Sequence, residues 1–136
     1  MADAVLEGMR DDAIEGVNVR VLRAPDANAD DVQWADALVL GTPENFGYMS
    51  GLMKDFLERI YYDCLEATAG RPYALFVKAS TDGDGAVRSV ERIVAGLRWK
   101  LVLPPLVVVG DLHDDDLDQC REFGATVAAG LATDVF

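Results

Sequence analysis

Residues 37–59 read ALVLGTPENFGYMSGLMKDFLER, and this stretch decides the fold class. Ala37 to Leu40 is a continuous apolar run, the pattern of a strand covered on both faces. Gly41-Thr42-Pro43 ends the run, and a polar, aromatic, glycine-bearing loop extends to Gly51. Met49 to Cys64 then reads as a helix, with Met49, Leu52, Met53, Phe56, Ile60 and Cys64 on one apolar stripe. A strand that passes its C-terminal end to a loop and a helix is the place where open α/β sheets bind ligands.

Working outward, the same alternation continues in both directions. Asp3 to Glu15 has helical periodicity, with Gly16 as the expected C-cap. Val17 to Ala24 (VNVRVLRA) alternates like a strand, and Pro25 closes it. Asn28 to Ala35 is expected to make a short acidic helix. Downstream, Tyr73 to Ala79 reads as a strand, Ser80 to Gly85 as a loop and Ala86 to Trp99 as a helix. Leu106 to Val109 reads as the last strand and Asp114 to Leu131 as the last helix. Strict alternation of helix and strand predicts an α/β sandwich, a parallel sheet with helices on both faces. The four visible strands and the 136 residues fit one domain spanning 1–136.

Composition narrows the function classes. The net charge is −12 and only Lys54, Lys78 and Lys100 supply ammonium groups, which argues against nucleic acid. The acids are scattered, as expected of a solubilising surface. No window approaches a membrane span, and Met1 to Arg10 lacks a basic region and a cleavage site. A cytoplasmic location is therefore expected. Cys64 and Cys120 stand far apart, outside any CxxC pattern, and are expected to be reduced apolar residues on helices.

Three constellations remain as candidates for chemistry. The loop Thr42, Pro43, Glu44, Asn45, Phe46 and Gly47 combines an aromatic with turn residues whose backbone a ligand can approach. Phe46, with Tyr48 nearby, offers a flat apolar face, and Glu44 and Asn45 offer polar edges. The loop Ser80, Thr81, Asp82, Gly83, Asp84 and Gly85 also follows a strand. It is no EF-hand, since Ala86 and Ile93 fall where ligands belong, and its aspartates oppose a phosphate. The third, Asp111 to Asp116 with His113, reads as acids at a helix N-terminus rather than a metal site. His113 is the only histidine and no G-x-S-x-G motif accompanies it, which excludes a serine-hydrolase reading.

The first of these loops resembles the second flavin-binding loop of the flavodoxin-like superfamily. The closest likeness is to its branch of NAD(P)H:quinone oxidoreductases and NADPH-dependent FMN reductases. The run Gly-Thr-Pro-x-x-Phe-Gly-x-Met-Ser-Gly followed by Met-Lys-x-Phe-Leu-x-Arg is met at Gly41, Thr42, Pro43, Phe46, Gly47, Met49, Ser50, Gly51, Met53, Lys54, Phe56, Leu57 and Arg59. The resemblance implies a flavodoxin-like three-layer sandwich that binds FMN and reduces quinones or flavin with NAD(P)H. It implies that Thr42 to Gly47 hold the isoalloxazine ring and ribityl chain, and that Ser80 to Gly85 line the other side. It implies small-molecule acceptors and leaves room for a homo-oligomer. No catalytic side chain is required, because the flavin carries the chemistry.

Two alternatives stand beside this reading: a flavodoxin-type electron carrier, and a non-flavin remnant or interaction protein. A response-regulator receiver shares the strand order, but Gly110-Asp111 stands where that class needs a lysine. The resembled fold also opens with a strand whose following loop cradles the FMN phosphate, whereas here a helix begins at residue 2 or 3. The first strand and the phosphate-binding loop are thus missing from the pattern. Either the natural chain starts further upstream, or the chain is a remnant that folds poorly or borrows a strand, or Val17–Ala24 and Ala37–Leu40 close together into a four-stranded sheet without high-affinity FMN.

Overall fold

The computed structural model describes all residues, 1–136. Helix α1 (Ala2–Met9) is followed by an irregular stretch, a short 3₁₀ turn at Ala24–Asp26 and helix α2 (Ala29–Trp34). Strand β1 (Leu38–Asn45) turns back into β2 (Tyr48–Met49), and helix α3 (Gly51–Cys64) follows. Then come β3 (Pro72–Ala79), α4 (Asp84–Gly96), β4 (Lys100–Leu101), β5 (Leu106–Val109) and α5 (Asp114–Ala132).

The centre of the sheet is β3. It pairs in parallel with β1, from Leu38 opposite Tyr73 to Pro43 opposite Lys78. On its other edge it pairs in parallel with β4 and β5 in succession. These two are one strand interrupted by Pro104-Pro105, which have no N–H to give to a ladder. Successive β3 side chains enter opposite layers. Tyr73, Leu75 and Val77 join the larger core under α3 and α4. Ala74 and Phe76 join the smaller one under α1 and α5. Both faces are covered, as the continuous apolar runs required. Helices α1 and α5 cross at backbone contact. A Cβ on Gly8 would stand 1.9 Å from the Arg121 carbonyl oxygen, and one on Gly124 would stand 2.0 Å from that of Val5.

Several expectations need correction. The first helix ends at Met9, with Arg10 rather than Gly16 as its C-cap. Val17 to Ala24 is not a sheet strand. Residues 17–22 take part in no backbone hydrogen bond, and no ladder includes them. An alternating sequence favours extended chain, but a ladder needs a neighbouring edge about 4.8 Å away. Here the segment is held toward α2 instead: Arg20 reaches Asp31 at 3.0 Å and lies 3.9 Å from the centre of the Trp34 ring. It does not close onto β1. A cleft of about 930 Å³ is lined by both. Leu52, expected on the inner stripe of α3, is half exposed. Gly41 to Asn45 belong to β1 and not to a loop, because β3 partners Gly41 to Pro43 as far as Lys78 and β2 partners Glu44 and Asn45.

Candidate functional site

The site-bearing segments meet at the C-terminal edge of the parallel strands. Asn45 pairs with Tyr48, so Phe46-Gly47 is a two-residue hairpin loop. Both residues have positive φ, 53° and 67°. Type I′ loops require that, and they favour Asn, Asp or Gly at both positions. A phenylalanine in this conformation costs about 1–2 kcal/mol. Burial does not compensate, because the Phe46 ring projects fully into solvent, at 107 % relative exposure.

The hairpin is fixed to its surroundings by polar contacts. Thr42, buried in β1, accepts a 2.9 Å hydrogen bond at Oγ1 from the Ser50 N–H and donates to the Pro43 carbonyl. Ser50 caps α3 by accepting from the Met53 N–H at 3.1 Å. The Met49 N–H donates to the buried Ser89 hydroxyl on α4 at 3.0 Å, and Ser89 donates to the Ala86 carbonyl. Backbone packs on backbone where α4 begins: a Cβ on Gly85 would lie 1.9 Å from the Gly47 carbonyl oxygen.

The second predicted loop therefore abuts the first. Thr81 Oγ1 donates a 2.7 Å hydrogen bond to the Glu44 carboxylate. Asp82 accepts from the Asp84 N–H at 2.9 Å. Gly83, with φ 77°, is the N-cap of α4, so Asp84 and Gly85 lie in its first turn rather than in the loop. A side chain at Gly83 would collide with Val107. All twelve predicted residues thus fall in two contiguous, mutually bonded segments around the exposed Phe46 ring. Ser89 was missed. Its signal was a hydroxyl in phase with Ala86, Val90 and Val94 on an otherwise apolar helix face.

The large cleft is elsewhere along β1. It includes Gly41 but none of Thr42–Gly47 or Ser80–Gly85. The third constellation opens α5: His113 stands at its N-cap position and its N–H donates to Asp116 at 2.9 Å. Burial, followed by the neighbouring Asp63, pushes the Cys64 thiol up. Burial pushes Cys120 up as well. Both are in the inert range for thiols.

The residues present fit the ring half of an FMN. An exposed aromatic residue stands at the tip of the hairpin, next in sequence to the polar side chains of Glu44 and Asn45. Asp82 and Asp84 suit the neutral edge of such a ring rather than its phosphate. Helix α3, by contrast, opens with no acid in its first turn.

A parallel sheet under two helical layers, with loops and an aromatic gathered at its C-terminal edge, defines a flavodoxin-like protein. Residues 8–114 match the family model of NADPH-dependent FMN reductases, and the chain belongs to that family. It is 35 % identical to a flavodoxin of Aquifex aeolicus, over 97 % of this chain and 79 % of the relative. It is 28 % identical to an NAD(P)H dehydrogenase (quinone) of Syntrophus aciditrophicus over 76 % of this chain, and it spans only 53 % of that relative's length. In structure it resembles a flavodoxin from the domain Archaea, with TM-score 0.76 at 19 % identity, covering 97 % of this chain and 87 % of the other. No helix is long and apolar enough to cross a membrane.

Proposed function

We propose that the protein binds FMN at Phe46 and acts in the cytoplasm as an NAD(P)H-linked reductase of quinones or of free flavin. The observation that carries this reading is Phe46 itself. A bulky residue held in a left-handed conformation and wholly in solvent weakens the fold. Such strain is retained where a ligand uses it.

Within this reading Phe46 offers its face to the ring. Thr42 and Ser89 hold the hairpin at the height the ring needs, and Thr81 and Glu44 brace the two segments against each other. When bound, FMN supplies the hydride and single-electron chemistry, so no side chain has to act as acid or base.

A second reading has a specific observation in its favour. The Aquifex relative, aligned over nearly the whole chain, is named a flavodoxin, which supports an electron carrier serving protein partners. Steady-state oxidation of NADPH by the FMN-loaded protein with a soluble benzoquinone separates the two. Turnover of at least several per second, within the range of ordinary enzymes, supports the reductase. Reduction that stalls after one flavin equivalent rejects it in favour of the carrier. A protein that does not quench FMN fluorescence rejects both.

A further inference from the structure

Two Asp-Gly pairs stand side by side in this chain, Asp82-Gly83 and Asp84-Gly85, and no other Asp or Asn is followed by glycine. Aspartate before glycine carries a latent reaction. Its side-chain carboxyl and the next amide nitrogen can close a five-membered ring, and glycine puts no side chain in the way. Closure requires the intervening peptide unit to turn. That unit is planar, so it turns as a whole, about ψ of the aspartate and φ of the glycine.

The fold treats the two pairs differently. Neither the Asp82 carbonyl nor the Gly83 N–H takes part in a hydrogen bond, so turning the peptide between them breaks none. Asp82 is exposed, and its Oδ1 accepts from the Asp84 N–H at 2.9 Å, which draws the carboxyl group across that peptide. The Asp84-Gly85 peptide lies in the first turn of α4, where the Asp84 carbonyl belongs to the helical ladder. Gly85 is also seated on the hairpin, with the Gly47 carbonyl oxygen 1.9 Å from the place of a Cβ. Turning this second peptide opens the helix and lifts Gly85 from its seat.

We propose that Asp82 is a site of spontaneous isomerisation to isoaspartate, and that α4 protects Asp84 from the same change. The Gly83 nitrogen bonds to the Asp82 Cγ in its carboxylic acid form, and the amide hydrogen and the carboxyl hydroxyl leave as water. A second water then opens the cyclic imide. Opening at the main-chain carbonyl leaves the chain running through Cγ, with a free α-carboxylate beside it. Mass is unchanged overall, and no oxidant, reductant or cofactor takes part. The backbone gains one carbon between Thr81 and Gly83. Both ends of the insertion are held. Thr81 bonds the Glu44 carboxylate at 2.7 Å, and Gly83 packs so closely that a Cβ would stand 2.6 Å from Val107. The added atom therefore breaks the Asp82 bond to the Asp84 N–H and loosens residues 80–82 against the hairpin. The inference does not depend on flavin binding.

The test ages the full chain for several weeks in neutral buffer made with heavy-oxygen water, below its melting temperature, and in parallel in concentrated urea. Trypsin releases both pairs in one peptide, since Lys78 and Arg88 flank them. Each event adds one labelled oxygen, and fragmentation of the peptide locates the isoaspartate within it. In the folded chain isoaspartate is expected at position 82 in severalfold excess over position 84. In urea the two positions are expected to be equal, because the helix that separates them is gone. Asp82→Glu, which has to close a larger ring, is expected to remove most of the label from the folded chain, and Asp84→Glu is expected to leave it. Aged protein enriched in isoaspartate should also exchange its Asp84 amide severalfold faster than fresh protein. Equal isoaspartate at both positions of the folded chain overturns the proposal, as does an excess at position 84. Label that survives Asp82→Glu, or a folded chain that forms no isoaspartate at all, overturns it as well.

Discussion

The Gly85 Cα faces the Gly47 carbonyl so closely that a β-carbon there would stand 1.9 Å from the oxygen. The start of α4 is thus the seat of the hairpin that carries Phe46. Gly85→Ala forces the two apart and is expected to destabilise the protein by about 1–3 kcal/mol, the usual cost of overpacking. Gly51→Ala is the matched comparison. No atom lies within 4 Å of its added carbon, and Gly51 is the first residue of α3. That change is expected to be neutral or to stabilise by up to about 1 kcal/mol. Urea denaturation of the pair checks both signs.

Phe46→Asn separates stability from binding. Asparagine accepts the left-handed conformation that phenylalanine resists. The variant is expected to be more stable by about 1 kcal/mol, read from its thermal midpoint. In the same protein FMN affinity is expected to fall roughly two- to tenfold through the lost aromatic contact. A variant that gains stability and keeps its full affinity removes Phe46 from the ligand site.

Ser89→Ala deletes the acceptor of the Met49 N–H. A buried donor left without a partner costs about 1–3 kcal/mol. Hydrogen exchange at Met49 is expected to accelerate more than exchange in β3, since the loss is local to the hairpin. Ser89→Thr, which keeps the hydroxyl, should restore most of the protection.

Tyr73 supplies a pH dependence. Burial, with Glu91 adding to it, pushes its phenol from the ordinary value of 10 up to about 12. The unfolded chain releases this proton near pH 10, while the folded one keeps it until about pH 12. Tyrosine's contribution is therefore complete below pH 10 and is lost as pH rises from 10 to 12, by at most about 3 kcal/mol. Denaturation at a series of alkaline pH values should show that fall, and Tyr73→Phe should flatten it.

Much of this was legible in the sequence. The apolar runs of β1, β3 and β5 announced covered parallel strands, and the Gly-Thr-Pro-to-Arg59 run pointed to the family to which the chain belongs. The acids after His113 marked the start of α5, where Asp114, Asp115 and Asp116 fill the first turn. What was not legible depended on partners. The alternation of Val17–Leu22 states that the chain is extended, and says nothing about whether an edge lies within reach. Gly41–Asn45 looked like a loop because glycine and proline are poor ladder residues, yet the register with β3 carries Gly41–Pro43 along and the hairpin with β2 takes up Glu44 and Asn45. Ser89 and Gly85 matter only through Met49 and Gly47, which lie about forty residues earlier.

The Pro104-Pro105 break has a consequence for how these molecules behave when crowded. It divides the outer border of the sheet into pieces of two and four residues, separated by a gap in which Pro104 and Pro105 have no N–H to donate. A passing chain finds too short a template there to add a continuous ribbon, so that border resists fibre growth without any covering element.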